Sequence, residues 1–184
     1  MSDISKRMYL SLRSLYVHRS YTPQSVRIDL VQSILFPILD YCDTVSTDMS
    51  AECIGRLQVL QNNCIRYIFD VPKFSGVTEY YKKLKWLKIK ERRLYHVLVL
   101  THKILNTQTP KYLYDKFTLM SNIHSRTTRS HPLYLQNPIC KNKSFVCIAS
   151  TYWNKLPPLI MSIQKHDCFK QKVYNILLNK NMEL

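Results

Sequence analysis

Two glycines in 184 residues, Gly55 and Gly76, set the first limit on this fold. A turn-rich β architecture needs many backbone positions at positive φ, which glycine supplies at least steric cost. So few of them argue against all-β folds and exclude a glycine loop cradling phosphates. Apolar spacing points to helices instead. Residues 4–20 carry Leu10, Leu12 and Leu15 among Lys6, Arg7, Arg13 and Arg19. Thr22-Pro23 predicts a second helix start, with a capping hydroxyl before a first-turn proline. That helix carries Val26, Leu30, Ile34, Ile38 and Cys42 on one stripe, widened by Val31, Leu35 and Leu39, with a kink expected at Pro37.

Ser50 is placed to cap a third helix through Phe69, with Ile54, Leu57, Leu60, Cys64, Ile65 and Ile68 inward. Arg56, Gln61, Asn62 and Arg66 fall outward or across a polar seam. A loop follows over 71–76, and Thr78 opens a short helix with Tyr80, Tyr81 and Leu84. The clearest periodicity runs over 89–106, with Leu94, Val97, Leu98, Thr101, Ile104 and Leu105 on one stripe. Pro110 starts another short helix, reaching Phe117. Residues 120–143 lose periodicity and read as a long loop, with a short extended piece at 133–135. Asp167 then caps a final helix with Phe169, Val173, Ile176 and Leu177 inward. The expected fold is therefore all-α, an irregular bundle of about six to eight helices with a long basic loop.

The net charge of +15 is unevenly placed. Residues 1–79 hold 8 Lys+Arg against 8 Asp+Glu, whereas 80–184 hold 19 against 4. One compact domain in two parts is expected: a neutral bundle over 1–79, and a basic helical part over 80–184 packed on it. No acidic residue occurs between Asp115 and Asp167. A basic face of this kind suits a polyanion. Six cysteines with no secretory signal at the N-terminus read as reduced, buried thiols. His124, His131, Cys140 and Cys147 can be drawn as zinc ligands, but their spacing fits no structural zinc pattern, so no metal or cofactor is expected. No apolar run approaches the roughly 20 residues of a membrane span. An intracellular protein, nuclear or cytoplasmic, is expected.

The stretch Ser144 to Pro158, S-F-V-C-I-A-S-T-Y-W-N-K-L-P-P, organises the C-terminal third. Phe145, Ile148, Ala149 and Tyr152 share a helical face, Ser144 can cap its start, and Pro157 and Pro158 are expected to end it. Trp153 can bury a large area while its indole N–H finds a carbonyl, and Asn154 can close the last turn. Two readings stand here: a buried helix that locks this part of the chain, or a binding site.

This run, with Trp153, Asn154, Leu156 and Pro157 as its signature, resembles the region that follows the polymerase domain in jockey-like non-LTR retrotransposon reverse transcriptases. A Phe-Lys pair follows it in that family, and here that pair is Phe169 and Lys170. Similar stretches occur in the same order at 36–43 (F-P-I-L-D-Y-C-D), 56–68 (R-L-Q-V-L-Q-N-N-C-I-R-Y-I), 86–93 (W-L-K-I-K-E-R-R, leading into H-K-I-L-N at 102–106) and 124–130 (H-S-R-T-T-R-S). The resemblance spans about residues 8–178. It implies thumb-like helices beyond the palm that hold template RNA or target DNA, in association with a reverse transcriptase core.

Catalysis is not expected. Polymerases need carboxylates gathered around two metal ions, and this chain has no adjacent aspartates. Asp40 and Asp43 are the only close pair and read as a solvated helix end. No G-x-S-x-G, H-E-x-x-H or phosphate loop is present. Basic residues interleaved with aromatics are the stronger signal. Arg126, Arg129, Lys141 and Lys143 can neutralise phosphates, with Arg92 and Arg93 in the matching 86–93 stretch. Tyr80 and Tyr81 can stack on bases while Lys82 and Lys83 track a backbone. The expected function is nucleic-acid binding, to RNA or DNA. The alternative is a remnant of a mobile element, inert or acting in protein interaction.

Overall fold

The structure is a computed structural model that describes residues 2–46, 48–122, 131–138 and 144–182. Their regular elements are all helices, with no strand among the described residues and only an isolated antiparallel bridge between Leu119 and Leu135. None of the described helices is long and apolar enough to cross a membrane. The chain divides into two compact units, Met1–Asp43 with Met49–Lys90, and Thr44–Asp48 with Glu91–Leu184. By sequence the first holds 13 Lys+Arg and 7 Asp+Glu, the second 14 and 5, so both carry a basic excess.

The first unit contains α1 (Ser2–Val17), α2 (Gln24–Leu30), α3 (Phe36–Asp40), α4 (Ala51–Phe69) and α5 (Thr78–Leu84). Thr22 does not cap α2. Its hydroxyl donates back to the His18 carbonyl at 2.7 Å, and Pro23 takes the cap position. Between α2 and α3 the helix widens into a π turn over Val31–Leu35. That turn replaces the expected kink: Pro37 lands in the first turn of α3, where a missing N–H costs least.

Ser50 caps α4 as its position predicts, accepting from the Cys53 N–H at 3.2 Å, and Asp70 closes the helix in the left-handed region at φ 58°. α1, the π turn, α3 and α4 then bury Met8, Leu12, Leu35, Phe36, Leu57, Ile65 and Ile68 in one core. Phe36 meets Trp86 edge-on at 4.5 Å. Asp43 departs from expectation: it is 5 % exposed, not a solvated helix end. Left-handed Cys42 (φ 55°) turns the chain there, and the Asp43 N–H returns to the Asp40 carbonyl at 3.2 Å.

The second unit follows with α6 (Ile89–Thr107, its first two residues lying in the first unit), α7 (Lys111–Tyr114), α8 (Phe145–Trp153), α9 (Pro158–Met161) and α10 (His166–Met182). The clear periodicity of 89–106 thus becomes one helix. The paired prolines open α9 rather than end α8: Pro157 sits at the cap and Pro158 at the first helical position. Ser144 does occupy the N-cap of α8, without a side-chain cap bond. Asp167 lies inside the first turn of α10 instead of capping it, where its charge suits the helix dipole. Val97, Leu98, Ile104, Leu135, Trp153, Phe169 and Val173 form the buried interior of this unit.

Candidate nucleic-acid interface

On α5, successive side chains point about 100° apart, so the Tyr-Tyr-Lys-Lys run cannot present all four residues to one ligand. Tyr81 turns inward and is 6 % exposed, which removes it from the base-stacking set. Its hydroxyl accepts from Gln58 Nε2 at 2.7 Å and lies 2.9 Å from Gln61 Oε1 and 2.8 Å from Asn62 Oδ1, one of which takes its proton. Gln61 donates on to the Leu87 carbonyl at 2.9 Å, and the Ile89 N–H donates to Gln58 Oε1 at 3.0 Å. This is the polar seam of α4, and burial pushes the Tyr81 phenol well above its ordinary range. Tyr81→Phe keeps the ring and strands the amides, so it is expected to cost about 1–3 kcal/mol, measured by urea unfolding.

The other three residues of the run stay near the surface. Tyr80 is half-buried against Phe69, with ring centroids 4.4 Å apart. Lys82 and Lys83 are exposed, and the Lys83 ammonium sits 5.4 Å from the Tyr80 ring centroid. Tyr80, Lys82 and Lys83 therefore remain together as a small cationic and aromatic surface. Arg92 is half-buried beside Tyr95 on α6. Arg93 donates to the Ser46 carbonyl at 2.5 Å, fastening residues 44–48 to α6, so its guanidinium already holds the fold. Arg126, Arg129, Lys141 and Lys143 lie outside the described residues, as do His124 and Cys140.

The Trp-Asn pair has the clearest geometry. Trp153 is 3 % exposed and its indole N–H donates to the Leu133 carbonyl at 3.0 Å. Asn154 closes the last turn of α8 through its backbone N–H, which donates to the Ser150 carbonyl at 3.1 Å, and its side chain is used elsewhere. Its Oδ1 accepts from the Leu135 N–H and its Nδ2 donates to the Leu135 carbonyl, both at 2.8 Å. On the opposite edge, Met120 N–H donates to Tyr134 and Gln136 N–H donates to Thr118, both at 2.8 Å. The extended piece at 133–135 is thus held between a backbone partner on one side and two side chains on the other. Its alternating N–H and C=O groups, which a strand would need a neighbour on each side to satisfy, are all met. Trp153 and Leu156 of this stretch are buried, Asn154 is half-buried and locks through its side chain, and Pro157 is exposed.

Around Trp153 an aromatic stack assembles. Phe169 of α10 lies 5.8 Å from it, and His102 of α6 lies 3.9 Å from Phe169 in a near-parallel stack. His102 Nε2 sits 2.6 Å from the Ile163 carbonyl, which can only accept, so Nε2 carries the proton. Nδ1 then accepts from His166 Nδ1 at 3.0 Å. A proton on His102 Nδ1 would reverse that bond, with His166 accepting at Nδ1, and protonation of both rings would break it. Burial first, then the neighbouring His166, lowers the His102 pKa, against the opposing pull of the Ile163 carbonyl; burial and Lys170 lower that of His166. The unfolded chain binds these protons below about pH 6.5 while the folded chain resists them. Stability is therefore full above that pH and falls as acid is added through the folded pKa values. The thermal midpoint should decline as the pH falls below about 6.5, and His102→Gln should flatten the decline.

The five described cysteines are free thiols, but not all are buried: Cys42 and Cys168 are exposed, and Cys64 alone is fully buried, its thiol pushed up to about 12. One site escaped the sequence reading. Between α1, the end of α4 and the loop after it lies a cavity of about 430 Å³ whose wall includes Tyr9, Arg13, Tyr16, Asn63, Arg66 and Lys73. These cations belong to the stretch whose charges cancel in sum, and a sum hides where each charge points. Compared with known proteins, the chain matches no family model, no curated protein and no solved structure.

Proposed function

We propose that this chain binds nucleic acid, as the resembling region of non-LTR reverse transcriptases implies, and supplies no catalytic centre of its own. The observation that carries the reading is the interval between Asp115 and Asp167, which holds seven Lys and Arg and no Asp or Glu, within a chain of net charge +15. The Trp153–Asn154 clamp supports it, because it fixes residues 133–135 in the middle of that interval. RNA binding by the full chain should weaken linearly in log K against log salt. Affinity indifferent to salt would sink the proposal. The alternative, a protein-interaction remnant, draws on two bare rings in the first unit: Tyr21 is 89 % and Phe74 95 % exposed. Primer extension with Mg²⁺ or Mn²⁺ should stay at background in this reading, and extension lost in Asp40→Ala would contradict it.

A further inference from the structure

The cavity in the first unit has the makings of a ligand site. Its volume of about 430 Å³ lies within the roughly 300–1,000 Å³ range of small-molecule pockets. Arg13, Arg66 and Lys73 contribute positive charge to its wall, and among the described residues no carboxylate lines it. None of the three forms an ion pair with a described carboxylate; the nearby Asp70 is engaged by Arg19. Arg66 is held in place by two bonds, to Asn63 Oδ1 at 3.2 Å and to the Ser75 carbonyl at 3.3 Å, while its Nε–H is buried without a partner. A buried donor left unmatched costs stability unless something accepts from it. Tyr16 is fixed as well, edge-on to Tyr67 at 5.2 Å with the Arg19 guanidinium 5.4 Å from its ring centroid.

We propose that this cavity binds a phosphorylated nucleoside, the phosphate between Arg13, Arg66 and Lys73 and the base against the rings of Tyr9 and Tyr16. Guanidinium and ammonium groups suit a phosphate, whose several oxygens can accept from more than one donor. Tyrosine faces accept any base, because every base has a π surface. The Asn63 amide, whose Oδ1 is occupied by Arg66, keeps its NH₂ to donate to a base or ribose oxygen. The ligand is either a free nucleotide or one nucleotide of a single strand, which share this chemistry. The proposal stands on the cavity and not on the basic loop, so each can fail without the other.

Equilibrium dialysis of the full chain against radiolabelled AMP tests it. Saturable binding at one site is expected, with adenosine and inorganic phosphate each competing about ten-fold or more weaker than AMP. Arg13→Glu with Lys73→Glu, both at exposed positions, should weaken AMP by about ten-fold or more, since each reverses a charge facing the phosphate. Lys111→Glu with Lys172→Glu, at exposed positions elsewhere, makes the same change in net charge and should leave AMP binding within about two-fold. Tyr9→Ala should weaken AMP while leaving competition by inorganic phosphate unchanged. A single-stranded ten-nucleotide RNA that competes more tightly than AMP assigns the site to a strand, and one that competes more weakly assigns it to the free nucleotide. Absence of saturable AMP binding, or equal losses in the two double variants, overturns the proposal.

Discussion

Trp153→Ala should lower the stability of the second unit by about 3–5 kcal/mol. The ring is 3 % exposed, is packed near Phe169 and His102, and holds the Leu133 carbonyl through its indole N–H. Its removal opens a cavity in a stack formed by α6, α8 and α10 and leaves an acceptor unpaired. Against a total stability of about 5–15 kcal/mol for a typical domain, that is enough to populate the unfolded unit. Trp153→Phe separates the causes: it keeps most of the area and loses only the donor, so about 1–2 kcal/mol is expected. Urea unfolding followed by circular dichroism measures both. Because the other tryptophan, Trp86, lies in the first unit, its fluorescence in these variants reports whether the damage stays local. A Trp153→Ala curve that overlays the parent would mean that the ring does not hold this unit together.

Asn154→Ala should cost about 2–4 kcal/mol, because it strands two groups at once, the Leu135 N–H and the Leu135 carbonyl. Leu135 itself is 1 % exposed, so water cannot readily replace the missing partners. Asn154→Asp is the sharper test. A carboxylate still accepts from the N–H but places negative charge beside the carbonyl that Nδ2 now serves, so it should rescue little. Hydrogen exchange at the Leu135 amide should accelerate in both variants while amides in the middle of α4 keep their rates. Unchanged protection at Leu135 would contradict the clamp.

How far the sequence discloses this structure depends on whether a signal is local. Ser50 and the apolar stripe of 89–106 speak through their nearest neighbours, and both helices form where those signals put them. Trp153 was legible as a buried ring with a carbonyl partner, because a tryptophan on a helix with a strong apolar face has few other outcomes. Which carbonyl it meets was not, since Leu133 lies twenty residues away and no periodicity encodes that distance. Asn154 was legible in part: it does end its own helix through its backbone, as the local rule has it, while the remote extended segment that its side chain holds is named by no local rule. Tyr81 was misassigned because a Tyr-Tyr-Lys-Lys string looks like a patch in one dimension and splits between core and surface once wound into a helix. The cavity cations Arg13, Arg66 and Lys73 come together only when α1 packs against α4.

The basic interval carries the functional claim, and one comparison tests it most directly. Two double variants, Arg126→Ala with Arg129→Ala and Lys111→Ala with Lys172→Ala, remove the same charge, the second pair from exposed positions outside the interval, on α7 and α10. Each is titrated with a fluorescent single-stranded RNA at several salt concentrations. If the interval grips the strand, the Arg126/Arg129 pair should lower the slope of log K against log salt by about 1.4, since each phosphate no longer neutralised removes about 0.7. The Lys111/Lys172 pair should leave the slope nearly unchanged, and melting temperatures should agree across all three proteins. Equal reductions of slope in both variants would show attraction by net charge alone and contradict a nucleic-acid-binding interval.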